Sequence, residues 1–209
     1  MKYVQKTDAP QFFIDNTNGK TLWVEYPVSK IPLKDHILKE EQNYLCIYCE
    51  SKIAELNNSH LEHIKPKAQS MYPDLVFEYN NIVVSCNGNC HTEDDNKHTC
   101  GHLKDNEYDE SKFLNPVEVE DIRDYFIYDI DEGKIESSRK DKEKAQYMID
   151  TLHLNDGALP IARKKALENF MEQIKQYDQS QWKNKIIEFL NRENIAFVSF
   201  LRFKYINFL

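Results

Sequence analysis

The feature that most constrains this chain is the placement of its cysteines. All five of them fall within one short stretch of a 209-residue sequence. Cys46 and Cys49 form a C-x-x-C pair, and Cys86, Cys90 and Cys100 follow at a distance. A C-x-x-C turn presents two thiolates from one tight knuckle, and a tetrahedral zinc ion then needs two further ligands from elsewhere. Three cysteines compete for those two places. A redox pair is disfavoured because no strand–helix context of that kind follows Cys49. The spacing therefore predicts a structural zinc that staples a substructure too small to hold itself together by apolar burial. The first residues, Met1 to Asp8, contain no apolar h-region, so no signal peptide is expected. Metal ligation in a reducing cytoplasm is then favoured over a disulfide framework, and the expected location is cytoplasmic.

With 41% hydrophobic and 12% aromatic residues, the chain can bury the core of one globular domain with a helical annex. No apolar run reaches the roughly 18 residues of a membrane span, so no membrane role is expected. The net charge of −8 argues against a protein that coats nucleic acid by charge alone. The charge is uneven. From Asp105 to Glu136, twelve acids face three bases, a net −9; from Arg163 onward, nine bases face five acids, a net +4. A nucleic-acid substrate would meet a locally basic surface or be held with help from a basic partner, although a solvated helix face fits the C-terminal charges as well.

Along the chain, Gln11–Ile14 and Thr21–Tyr26 are expected as short strands around a turn at Asn16–Gly19. Pro32 opens a helix over Leu33–Gln42 with Ile37 and Leu38 inward. Lys52–Ser59 has the character of a surface connection. Phe113–Pro116 is a stop. Tyr125–Ile130 alternates at period two, turns at Asp131–Gly133 and returns through Lys134 and Ile135, which predicts a β-hairpin. From Ser138 the period becomes helical, with Ala145, Met148, Ile149 and Leu152 on one face, ending at Asn155–Gly157. A second helix is expected from Leu159 to Tyr177, with Leu167, Phe170 and Ile174 inward. A third carries Trp182, Ile186 and Leu190. The segment Ile195–Leu209 is apolar on most sides and is either a core helix or a docking surface.

Between the cysteines lie the parts of a phosphodiester-cleaving site. Hydrolysis needs a base to activate water and a divalent metal to stabilise the leaving oxygen. Neutral imidazole is the side chain best suited to take a proton near neutral pH. Glu62 places a hard oxygen ligand directly before His63. On its own an acid–histidine pair means little. Here it stands as Glu62-His63-Ile64-Lys65-Pro66, downstream of C-x-x-C and upstream of Asn81-Ile82 and Cys86. His60 is expected as an exposed polar residue, or otherwise as a phosphate or outer contact. Lys65, Lys67 and Lys104 are candidates for phosphate contact or for solvated surface. His36 and His153 fall in helical patterns and are expected to be structural.

These segments resemble the HNH (ββα-metal) nucleases, and more closely the PtuB-like HNH proteins of Septu and retron anti-phage systems. The residues that carry the resemblance are Cys46-Ile-Tyr-Cys-Glu50, Leu61-Glu-His-Ile-Lys-Pro-Lys67, Tyr72 to Asn81, Ser85-Cys-Asn87 and Cys100-Gly-His-Leu-Lys-Asp105. The resemblance implies an α+β fold with a zinc-stapled ββα-metal core at 44–136, an N-terminal extension at 1–43 packed on it, and a helical C-terminal region at 137–209. It implies His63 as general base, Glu62 and His102 as ligands of a catalytic Mg²⁺ or Mn²⁺, and Asn81 as the residue that holds the His-bearing loop. Cys46, Cys49, Cys86 and Cys100 match the structural zinc ligands. The interval 87–99 departs from the pattern in length and contains Cys90 and His91, which could replace Cys100 and His102. The implied activity is metal-dependent DNA cleavage as the effector of an anti-phage system, controlled by a PtuA-like ATPase partner. RNA such as tRNA is the alternative substrate. A zinc-stapled binding module without catalysis is the alternative class.

Overall fold

The computed structural model describes residues 1–27, 29–68, 71–88 and 98–209. Within them, two small antiparallel sheets are embedded in helices, an α+β arrangement. Strand β1 (Ser59–His63) pairs with β2 (Ile82–Cys86), with Ser59 opposite Cys86 and His63 opposite Ile82. Strand β3 (Phe126–Asp129) and β4 (Lys134–Ser137) form the expected hairpin, closed at Gly133 by a left-handed φ of 73°. Gly133 also has Pro160 O within 2.3 Å of any added Cβ, so both conformation and space require glycine there.

Helix α1 spans Gln11–Thr17, where a strand was expected. The reason is tertiary. Phe13 is fully buried, and its ring meets those of Tyr26 and Tyr79 at 5.9 and 5.4 Å, an inward anchor that one helical turn supplies. The second expected strand is likewise replaced, by a short 3-10 turn at Trp23–Glu25. Glu25 closes that turn by accepting from the backbone N–H groups of Thr21 and Leu22. Helix α2 (Ile31–Glu40) has Pro32 in its first turn and buries Leu33, Ile37 and Leu38, as its pattern predicts.

The knuckle at Cys46–Cys49 is fastened to β2 by backbone and side chain together. Ile47 N–H donates to Val84 O, while buried Gln42 accepts from Val84 N–H and donates to the Val84 and Leu45 carbonyls. Helix α3 (Cys100–Lys104) then crosses the β1–β2 pair, and Gly101 N–H donates to Ser85 Oγ. The result is two antiparallel strands with a helix laid on one face. The N-terminal arm is tied to the same unit, since Lys6 Nζ bonds Glu41 at 2.6 Å and Ile82 O at 2.9 Å.

Helix α4 (Lys142–Thr151) is capped by Asp141, whose side chain accepts from Lys144 N–H. It buries Ala145, Met148 and Ile149 in the main core, each large side chain contributing roughly 1.5–3 kcal/mol. Helices α5 (Leu159–Ile174), α6 (Trp182–Asn191) and α7 (Val198–Lys204) enclose a second cluster around Phe170, Ile174, Leu190 and Phe200. The apolar C-terminal segment divides: Phe197, Val198, Phe200 and Leu201 are buried, whereas Ile206, Phe208 and Leu209 are exposed. A buried polar link joins this region to the knuckle. Glu50 accepts from the N–H and hydroxyl of Ser199 and lies 3.3 Å from the Met1 amine. No helix among the described residues is long and apolar enough to cross a membrane.

Candidate active site and metal centre

Four cysteines from three separate segments converge. The sulfurs of Cys46, Cys49, Cys86 and Cys100 all lie within 4.8 Å of one another, and Cys49 and Cys86 are 3.8 Å apart. Four sulfurs about 2.3 Å from a tetrahedral zinc are separated by about 3.8 Å, so the quartet fits that ion. The surroundings suit thiolates: Cys86 N–H points at Cys46 Sγ and Ser51 N–H at Cys49 Sγ. Cys100 opens α3 with a left-handed φ of 60°, a conformation that costs an L-residue about 1–2 kcal/mol. Delivering its sulfur to the quartet while starting the helix accounts for it. The alternative ligands Cys90 and His91 lie outside the described residues.

A cleft of about 160 Å³ opens beside the quartet, lined by His60, Glu62, His63, Lys67, Gly101 and His102 among others. Strand alternation puts His60 and Glu62 on the same face of β1, the face that α3 covers. Glu62 is buried, and its two oxygens have different partners. Oε1 accepts from Tyr48 at 3.2 Å and lies 3.1 Å from the Lys104 ammonium; Oε2 faces His60 Nε2 at 3.5 Å. Burial opposes the negative charge, but His60 and Lys104 outweigh it, so the carboxyl stays below its ordinary range and ionised.

His63 ends β1 and is 4% exposed. Its Nε2–H donates to Val76 O at 3.0 Å, which leaves the lone pair on Nδ1, and Nδ1 has no partner among the described residues. Burial, with the nearby Lys67 and Lys104 charges, lowers its pKa to about 4 against the upward pull of the Val76 bond and Glu62. The ring is therefore neutral near pH 7 and keeps a free basic nitrogen. The Trp23 ring meets it edge-on at 4.5 Å. Asn81 is buried and clamps the chain on both sides of the loop between β1 and β2. It accepts from Lys65 N–H at 2.8 Å and donates to Lys65 O and Leu75 O. His102 projects from α3 to the cleft, exposed on one side, with its ring centroid 4.0 Å from that of His60. Partial burial and neighbouring His60 lower its pKa, favouring the neutral, metal-binding form.

Two expectations for the site change. His60 is not an exposed polar residue; it is half-buried between Glu62 and His102. Lys104 is not a phosphate contact or a solvated lysine; it is 1% exposed, bonded to Glu62 and to the His63 carbonyl. Its position four residues after Cys100 on a short helix was the available signal, since both then share the inward face. Tyr48 and Trp23 carry no motif of their own, and only the fold brings them to Glu62 and His63. Tyr48 lies inside the C-x-x-C, where burial and Glu62 push its hydroxyl pKa well up and keep it a donor.

No family model matches the chain. It is 34% identical over 154 residues, 70% of each chain, to a Vibrio cholerae serotype O1 biovar El Tor protein described as "Retron Vc95 putative HNH endonuclease".

Proposed function

This chain belongs to the HNH endonucleases, and from that premise we propose that it cuts DNA with a divalent metal as the effector of a retron-type anti-phage system. His63 is the general base in this reading. The observation that carries it is the His63 ring itself, which is neutral, fixed through Nε2–H to Val76, left with an enclosed Nδ1 that has no partner among the described residues, and part of the wall of the cleft that Glu62 and His102 also line. That nitrogen takes the proton of the attacking water. Glu62 and His102 hold a Mg²⁺ or Mn²⁺ ion, which when bound stabilises the charge developing on the leaving oxygen. Glu62 is suited to this because Tyr48 and Lys104 fix one oxygen and leave the other toward the cleft. Asn81 holds both ends of the loop that carries the Val76 acceptor, and so positions His63. Cys46, Cys49, Cys86 and Cys100 hold zinc and fix α3 against β1.

The net charge of −8 gives the isolated chain a poor grip on a polyanion. A partner ATPase would supply that grip and the control of cutting. The test is plasmid cleavage by the purified chain, alone and with an ATPase encoded beside it, in Mg²⁺, in Mn²⁺ and in EDTA. The reading predicts metal-dependent DNA cleavage that is weak alone and stronger with the ATPase. Full-rate cleavage by the chain alone would remove the ATPase, and cleavage of RNA but not DNA would replace the substrate.

A further inference from the structure

We infer that His60 is a third protein ligand of the divalent ion held by Glu62 and His102, which makes the site a two-histidine, one-carboxylate centre. The inference rests on the metal site proposed above and adds a residue to it.

Four observations converge on His60. Its Nε2 lies 3.5 Å from Glu62 Oε2, too far for a well-formed hydrogen bond. Two donors each about 2.1 Å from one ion and at roughly 90–110° are separated by about 3.0–3.4 Å, so this gap is close to a ligand spacing. Second, the other Glu62 oxygen is already engaged by Tyr48 and Lys104, so the free oxygen is the one that faces His60. Third, His60 Nδ1 is enclosed and has no hydrogen-bond partner among the described residues. The polar engagement of the ring therefore rests on Nε2, the nitrogen that faces Glu62.

The fourth observation is Gly101. An added Cβ there would come within 2.6 Å of His60 Nε2 and 2.8 Å of Glu62 Oε2. Gly101 does not have a positive φ, so what glycine provides is room rather than conformation. That room opens directly between the two donor atoms, with the His102 ring beside His60. Among the described residues only the four cysteines have all their donor atoms within 4.8 Å. The cleft set is looser, so joint ligation requires the exposed His102 ring to turn toward His60 and Glu62.

Two imidazoles change the metal preferred. Carboxylate and water suit Mg²⁺, whereas imidazole nitrogen suits transition ions. His60 therefore biases the site toward Mn²⁺ and its neighbours over Mg²⁺.

The experiment uses the zinc-loaded full chain and reads binding, not cleavage. Mn²⁺ and Mg²⁺ affinities are measured by calorimetry for wild type, His60→Gln, His60→Ala, Gly101→Ala and Glu62→Ala. Zinc content and circular dichroism establish that each variant is folded. Electron spin-echo modulation of bound Mn²⁺ counts coordinated imidazole nitrogens. The expected result is two imidazoles in wild type and one in either His60 variant, with Mn²⁺ affinity falling about tenfold or more and Mg²⁺ affinity falling less. Gly101→Ala should weaken Mn²⁺ similarly. If Glu62→Ala loses Mn²⁺ while both His60 variants bind like wild type with an unchanged nitrogen signal, His60 is not a ligand and the Glu62–His102 site stands. If Glu62→Ala binds Mn²⁺ like wild type, the metal site itself is misplaced and the inference falls with it.

Discussion

Asn81→Ala should damage both stability and catalysis, and the structure sets the scale. The substitution leaves two backbone groups without partners, Lys65 N–H and Lys65 O, and takes one of two donors from Leu75 O, which keeps Glu78 N–H. A buried polar group left unpaired costs about 1–3 kcal/mol. The Lys65 side chain is partly exposed and its backbone bonds are only part-buried, so water can repair some of the loss. The expected destabilisation is about 2–4 kcal/mol rather than the full sum. It should appear in urea unfolding as a lower midpoint with an unchanged slope. The catalytic effect follows from the neighbouring residue. Leu75, which Asn81 holds, precedes Val76, whose carbonyl orients His63. Loosening that loop should misplace the base and reduce kcat by roughly 10²-fold, with KM for DNA little changed. Asn81→Asp should be no better, because a carboxylate oxygen would then face two carbonyls. An Asn81→Ala protein with the wild-type unfolding midpoint and kcat would refute this account of the loop.

Two further predictions concern the metal centre and its buried lysine. Cys100→Ser should lose about one equivalent of zinc and become aggregation-prone, whereas Cys90→Ser should keep it; metal analysis of the purified variants checks this, and the reverse pattern would move the ligand to Cys90. Lys104→Met leaves the Glu62 carboxylate buried with only Tyr48 and His60 near it, so it should cost about 3–5 kcal/mol in urea unfolding. Pairing it with Glu62→Gln should recover part of that loss, and a Lys104→Met protein as stable as wild type would show that the pair contributes nothing.

Spacing made the C-x-x-C knuckle legible but left three cysteines competing for its two partners; Cys86, Cys100 and the pairing of His63 with His102 were legible through the family resemblance. C-x-x-C makes a knuckle by itself, and the periodicity of α4 through α6 and the turn at Gly133 are local signals. Asn81 was legible only through the family resemblance; its bonds run to residues 6 and 16 positions away. What local patterns could not show depended on distant partners. Gln11–Ile14 became a helix because Phe13 packs on Tyr26 and Tyr79. Lys104 is buried because Glu62, more than 40 residues earlier, compensates its charge. His60 shares a face with Glu62 by strand alternation, which the sequence does show. That α3 would cover this face and bring His102 against it could not be seen without the fold.

The central claim is that His63 takes the proton from water, and His63→Ala tests it most directly. Cleavage should be measured beside Glu62→Ala and His102→Ala across a Mn²⁺ and Mg²⁺ titration, with zinc content and circular dichroism confirming that each protein is folded. The account predicts that His63→Ala loses roughly 10²–10⁴-fold in rate and that no metal concentration restores it, while added metal partly restores the other two. A folded, zinc-loaded His63→Ala protein that cuts at near the wild-type rate would contradict the account.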